Sequence, residues 1–302
     1  MSNNLISVVI PTHDRPELLR LSILSVLEQT LQPFEIIVVD DTGSNATKDL
    51  IYSFGDEKLK FVENANNGAC SSRNLGASLA KGKFVAFLDD DDIWLHDKLQ
   101  KQCDVILKND SDAVFSQLLI KYEGSNIEYS TKAKNVDNPL KNICIENFIG
   151  GTISSVINTE LFKKLGGFDE RFKAREEYDL WIRIIESGAK IDIVELPLAV
   201  ANRSFMRKRV SSNISSYEKG IALINEKHEE LINKTLSLNE KKIRLSKQYE
   251  FLAAQAVSIG LKITSVKYYM KSFFNRPSIK SLALAIISLL NPKFLIKIRS
   301  RM

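Results

Sequence analysis

The chain has few cysteines, no membrane-length hydrophobic run and neither of the two common nucleotide-binding glycine motifs, and each absence excludes something. Only Cys70, Cys103 and Cys144 occur among 302 residues, an odd number at wide separations. That excludes a zinc pattern and leads us to expect reduced thiols in a cytoplasmic compartment. The start, Met1-Ser2-Asn3-Asn4, lacks the basic segment and apolar run of a secretory signal. No G-x-G-x-x-G follows the first predicted strand and no G-x-x-x-x-G-K-[ST] occurs anywhere, which excludes the dinucleotide fingerprint and the P-loop. From Ser281 to Pro292 no residue is charged. That segment falls far short of the ~20 residues a spanning helix needs.

Charge is abundant and unevenly placed. The net +5 combines 22 Lys+Arg against 31 Asp+Glu in residues 1–202 with 20 against 6 in residues 203–302. The first part reads as an enzyme core and the second as a region that meets an anionic surface.

Periodicity organises the first part. Strands are predicted at Ile6–Ile10, Phe34–Val39, Leu59–Val62 and Lys83–Leu88, and helices at Glu17–Gln29, Asn45–Phe54 and Cys70–Ala80. Such alternation implies an α/β fold whose sheet is mostly parallel and flanked by helices. Ligands bind beyond the carboxyl ends of such strands. Three ends here are polar: Pro11-Thr12-His13-Asp14, Asp40-Asp41 and Asp89-Asp90-Asp91-Asp92. Four consecutive carboxylates at one strand end repel one another, and a hard divalent cation relieves the conflict. An acidic cap on a helix opened by Ile93-Trp94-Leu95 is the competing explanation, although a cap uses one or two acids. Arg73, on the helix after the Asn66-Asn67-Gly68-Ala69 turn, stays open between a phosphate contact and a salt bridge.

Six pieces in order resemble glycosyltransferase family 2 enzymes of the GT-A fold. They are Val8-Val9-Ile10-Pro11-Thr12, Ile37-Val38-Val39-Asp40-Asp41, Asn67-Gly68 with Ser72-Arg73-Asn74-Leu75-Gly76, Phe87 to Trp94, Gly166-Gly167-Phe168-Asp169-Glu170, and Arg175 to Arg183. The resemblance spans roughly residues 5–205. It implies a catalytic domain over 1–205, with a nucleotide-sugar half to about residue 112 and an acceptor half from 113, followed by a basic helical extension over 206–302.

The same resemblance implies roles. Pro11, Thr12, Asp14 and Asp41, with Asp40 beside it, would hold the nucleotide base and ribose. Arg73 would sit near the diphosphate. Asp89 and Asp91 would form the D-x-D pair that binds Mn²⁺ or Mg²⁺ and the sugar or ribose, supported by Asp90 and Asp92. Glu177 falls where the family has its general base, with Glu176 or Asp179 as substitutes; Asp is the commoner residue at that position. Gly150-Gly151 would line the sugar and acceptor pocket, unless it is a tight turn. Trp94 is open between stacking on a sugar and burial. Relatives often carry a His near residues 202–212, where this chain has Arg203, Arg207, Lys208 and Arg209. That loop either clamps the leaving diphosphate or faces anionic lipid.

The implied activity is inverting, metal-dependent transfer from a nucleotide sugar, UDP-linked in the first instance, to a lipid-linked or surface-glycan hydroxyl. A non-catalytic scaffold and a sugar nucleotidyltransferase are the alternatives. The latter lacks its glycine- and arginine-rich loop in Pro11–Arg15. Helices are predicted over 215–233, 240–259 and 263–274. The apolar Leu282–Leu290 core, followed by Lys293, Lys297, Arg299 and Arg301, reads as a peripheral anchor on the inner face of the plasma membrane. A buried terminal helix, packed on this chain or on a second copy, is the other reading. No nucleic-acid signature accompanies the basic tail.

Overall fold

A computed structural model describes residues 5–66, 68–204 and 213–290. The elements in chain order are β1 (Ile6–Thr12), α1 (Pro16–Leu27), β2 (Glu35–Asp40), α2 (Asn45–Ser53), β3 (Leu59–Glu63), α3 (Ala69–Leu79), β4 (Phe84–Phe87), β5 (Ile93–Trp94), α4 (Lys98–Asn109), β6 (Ala113–Tyr122), β7 (Glu128–Ser130) and α5 (Pro139–Ile145). After a 3₁₀ turn at Thr152–Ser154 come β8 (Val156–Asn158), α6 (Thr159–Lys164), α7 (Glu176–Glu186) and β9 (Ile191–Arg203). The extension adds α8 (Ile214–Lys227), α9 (Glu229–Thr235), α10 (Leu238–Ser258), α11 (Lys262–Asn275) and α12 (Ile279–Leu290).

One sheet runs in the order β3-β2-β1-β4-β8-β6-β9-β5, with β7 on β6. Every residue of β1, β2 and β4 is buried, as expected of runs of Val, Ile and Phe covered on both faces. β3, β2, β1 and β4 pair in parallel, so their carboxyl ends share one rim. Beyond them β8 inserts antiparallel to both β4 and β6, while β9 pairs β6 in parallel through an irregularity at Ser116–Gln117.

Two local expectations change. Ile93-Trp94-Leu95 opens no helix; Ile93 and Trp94 pair antiparallel with Val200 and Ala199, and α4 starts at Lys98. The predicted 215–233 helix breaks at His228, whose backbone leaves helical geometry (φ −110°) while its side chain is buried. α10 begins with a capping box between Ser237 and Glu240.

The extension shares its core with the sheet. Ile221, Leu252, Ala253, Val257, Tyr268, Tyr269 and Ala285 belong to the same buried cluster as Val8, Ile10 and Val38. Cys70, Cys103 and Cys144 are all free and buried.

Candidate active site

The rim is held together by carboxylates answered by cations. Thr12 Oγ1, at the end of β1, donates to Asp90 Oδ2 (2.8 Å). Arg15, one turn on, places Nη2 3.2 Å from Asp90 and Nη1 3.4 Å from Asp91. Arg73 Nη2 lies 2.6 Å from Asp89 and its Nη1 lies 3.1 Å from Glu176. A single buried guanidinium thus joins the four-Asp run to the start of α7.

α3 reaches this position because Gly76 lets it lie directly on the sheet. A Cβ there would stand 2.4 Å from Val9 Cγ1. The next motif residue, Asn74, clamps the Gly166–Glu170 loop. It donates to Phe168 O and accepts from Phe168 N, both at 2.8 Å. Phe168 in turn lies 5.4 Å from the Arg73 guanidinium, face to cation.

Asp41 and Asp40 divide their work. Asp41 accepts from Gly68 N (2.8 Å) and meets His13 Nδ1 at 2.6 Å, so it fastens the turn before α3 to the β1 loop. Asp40 corrects an expectation: it is fully buried and accepts from Thr42 N and Oγ1 and from Ser44 N, holding the loop into α2. Its oxygens serve that loop. Pro11 lies buried in β1 opposite Val39, and Asp14 is exposed with a left-handed backbone (φ +48°) that turns the chain toward Arg15.

The acid pair of α7 sits opposite. Glu176 faces Arg73, while Glu177 Oε1 accepts from Asn147 Nδ2 at 3.3 Å. Asn147 also donates to Gly150 O and accepts from Gly150 N, and Trp181 Nε1 donates to that same carbonyl at 2.9 Å. The Gly150-Gly151 segment, with Gly150 at φ +116°, is therefore anchored beside Glu177. Burial, with the neighbouring Glu176 charge adding to it, pushes the Glu177 carboxyl up to about 7. A carboxylate poised near neutrality suits proton abstraction.

Asp179 does not stand in for that base. It is fully buried, with Arg183 Nη2 at 2.7 Å, Lys227 Nζ at 2.9 Å and His228 Nε2 at 2.9 Å. Burial opposes its ionisation, but those bonds, His228 foremost, outweigh it and hold the carboxyl below its ordinary range. The cluster pins α7 to α8 and the residue after it. A second brace is Arg175, at φ +72° before α7, whose guanidinium lies between the Tyr178 and Phe251 rings (4.5 and 4.0 Å). Of the two readings of Trp94, the structure shows burial: the side chain is buried, donates from Nε1 to Ile153 O (3.1 Å), and is covered by Lys98 Nζ at 4.1 Å from its ring.

Asp92 accepts from Asn202 N (2.8 Å) near the end of β9. Arg203 follows on that strand, and the Asp92 carboxylate raises its pKa against the effect of burial. Arg207, with Lys208, Arg209 and Asn67, lies outside the described residues. Sequence reasoning missed Arg15, Asn147, Lys227 and His228 as parts of this architecture. Arg15 alone had a signal, being the nearest cation after the first strand.

Among the described residues no group of three or more His, Cys, Asp or Glu side chains is arranged to hold a metal by itself. The donors nonetheless fit a hard cation that takes one or two carboxylates and completes its shell with substrate phosphates. Burial pushes Asp90 up to about 6 despite Arg15, and burial with the Asp91 and Asp89 charges raises Asp92 well above its ordinary value.

Residues 7–166 match the family model described as Glycosyl transferase family 2. An uncharacterized glycosyltransferase of Haemophilus influenzae is 25% identical over 299 residues, covering 98% of this chain and 99% of the relative. The UDP-Glc:alpha-D-GlcNAc-diphosphoundecaprenol beta-1,3-glucosyltransferase WfgD of Escherichia coli is 29% identical over 70% of this chain and 82% of its own. In fold, the chain resembles S. aureus TarS 1–349, solved with UDP-GlcNAc (TM-score 0.60, 17% identity, 97% and 91% coverage). It also resembles the mannosyltransferase PcManGT of Pyrobaculum calidifontis, solved with GDP-Man and Mn²⁺ (TM-score 0.58, 17% identity, 98% and 84% coverage).

Proposed function

The chain belongs to glycosyl transferase family 2 and has the GT-A fold; from that premise we propose a metal-dependent, inverting transferase that moves a sugar from a UDP-sugar to a hydroxyl on a lipid-linked or surface-glycan acceptor. The observation that carries this reading is the Asp89–Arg73–Glu176 bridge, which sets the donor-binding acids beside the helix that bears Glu177.

Each residue then has a step. Asp41 and the Pro11–Asp14 loop receive the nucleoside, and Arg73 lies where the diphosphate enters. Glu177 accepts the proton of the acceptor hydroxyl as that oxygen bonds to the anomeric carbon. The carbon–oxygen bond to the diphosphate breaks, and its electron pair leaves with the nucleotide. Asn147 holds Glu177 in place through its amide. Asp89 and Asp91 would hold Mn²⁺ or Mg²⁺, which when bound supplies positive charge to the leaving diphosphate.

Two similar proteins support the finer points. WfgD is named for a UDP-Glc donor and a diphosphoundecaprenol-linked acceptor, and PcManGT was solved with Mn²⁺. A lipid-linked acceptor suits a peripheral protein at the inner face of the plasma membrane.

The test is calorimetric titration of UDP, GDP and dTDP, with and without Mn²⁺, on wild type and Asp91→Ala. UDP binding that needs Mn²⁺ and disappears in the variant is the expected outcome. Tighter binding of GDP or dTDP would replace the base, and metal-independent binding would overturn the metal assignment.

A further inference from the structure

α12 packs part of its apolar surface on the core and leaves the rest, four large aliphatic side chains, exposed. Ser281, Ala285 and Ser288 are buried, and the helix packs on α11. The opposite face presents Ile279 (89% exposed), Leu282, Ile286 (55%) and Leu289 (54%). Their spacing of three, four and three residues makes one stripe. Phe274, just before the helix, is 74% exposed. Leu284 and Ile287 are partly buried against the core, yet four large aliphatics of the same helix stay exposed in one stripe, an arrangement that water does not favour.

Length and charge say what covers this face. Twelve residues of helix span about 18 Å, too short to cross a bilayer but sufficient to lie along its surface. Among the described residues no helix is long and apolar enough to cross a membrane. From residue 251 onward the chain has no Asp or Glu, while Lys262, Lys267, Lys271, Arg276 and Lys280 surround or precede α12. A second copy placed on this face would bring two acid-free cationic regions together, whereas an anionic lipid surface answers both the charge and the stripe.

We propose that α12 docks on an anionic lipid bilayer, with the Ile279–Leu282–Ile286–Leu289 face in the interfacial layer and the neighbouring Lys and Arg side chains at the headgroups. This deepens the reading above and rests on it for which membrane is meant; the docking itself needs neither donor nor acceptor. Docked in this way, the enzyme meets an acceptor that diffuses in two dimensions.

The full-length protein is sedimented with vesicles of phosphatidylcholine alone and of equimolar phosphatidylcholine and phosphatidylglycerol. Wild type is expected to bind the anionic vesicles, and more weakly in high salt. Ile279→Asp/Ile286→Asp, both at exposed positions, is expected to lose tenfold or more of that affinity. Its circular dichroism and UDP binding are expected to match wild type. Arg276→Gln/Lys280→Gln is expected to show a smaller loss and a shallower salt dependence. Wild type that binds UDP but not anionic vesicles would overturn the docking and leave the donor site standing, as would equal vesicle binding by the Asp variant. A wild-type dimer in sedimentation equilibrium that the Asp variant converts to monomer would overturn it in favour of a second copy.

Discussion

The rim of the parallel strands and the last helix solve opposite problems with the same two forces. At the rim, acids crowd together and nearly every one is answered within the fold: Asp89 by Arg73, Asp90 and Asp91 by Arg15, Asp41 by Gly68 and His13, Asp92 by Asn202. At α12, cations gather with no acid nearby in sequence, and aliphatic side chains face outward. The contrast teaches that internal pairing marks a site pre-organised for a small ligand, where geometry matters to fractions of an ångström. A run of cations with no acid among them in sequence, beside an apolar stripe, marks a surface built for something large and soft.

The contrast is broken most sharply by Glu177→Gln. Turnover is expected to fall by about 10²–10⁴, while UDP affinity and vesicle binding stay at wild-type values. In wild type, kcat/KM is expected to decline as pH drops through about 7, where Glu177 takes up its proton. The stability effect has the opposite sense. A carboxyl whose folded pKa is raised binds its proton more tightly folded than unfolded, so its contribution falls as pH rises from the unfolded value toward the folded one. Thermal melts are therefore expected to show Glu177→Gln gaining on wild type at pH 8, and that gain vanishing near pH 4.

Arg73→Met tests the internal pairing itself. It leaves Asp89 and Glu176 facing each other without their shared cation, and a stability loss of about 3 kcal/mol is expected in denaturant unfolding, the lower end for buried pairs because Asp89 is partly open to solvent. Added Mn²⁺ with UDP is expected to recover part of it. An unchanged midpoint would show that the bridge is not a structural link.

The smallest effect belongs to Lys98, a buried amine with no acid opposite it among the described residues. Its Nζ lies over Trp94 and bonds Gln102, and burial lowers its pKa well below the ordinary range. The unfolded chain binds this proton when the folded one does not, so stability rises with pH up to the unfolded pKa. Lys98→Met is expected to stabilise by about 1 kcal/mol at pH 7, or about 2–4 °C in Tm, and by less as pH rises toward 10. A destabilised variant would mean that the Trp94 contact outweighs desolvation.

How legible the molecule was varied residue by residue. β1, β2 and β4 could be read because continuous Val, Ile and Phe runs have few other uses in a chain of this size, and the polar rim followed from where those runs stop. Glu177 and Arg73 stood out through their motifs. Trp94 did not: its neighbours looked like the opening of a helix, and only the return of β9 alongside it turns Ile93-Trp94 into a strand and buries the ring. Asp40 and Asp41 are adjacent and chemically identical, yet Asp40, the last residue of β2, holds the loop into α2, while Asp41, just beyond it, meets Gly68 and His13. Asn147, Lys227 and His228 carried no local signal, because their partners lie 30 to 49 residues away in sequence.

Local regularity alone determined the strands β1, β2 and β4 and the helices between them, the acidic run at a strand end, and the cationic, acid-free character of the C-terminal helices. These depend on side-chain period and composition within a dozen residues. Tertiary structure alone decided the rest: that one guanidinium joins Asp89 to Glu176, that Asp179 braces α7 from within the core, and that α12 leaves Ile279, Leu282, Ile286 and Leu289 exposed. Burial and pairing across long separations are properties of packing, and no local pattern can fix which partner a buried charge will meet.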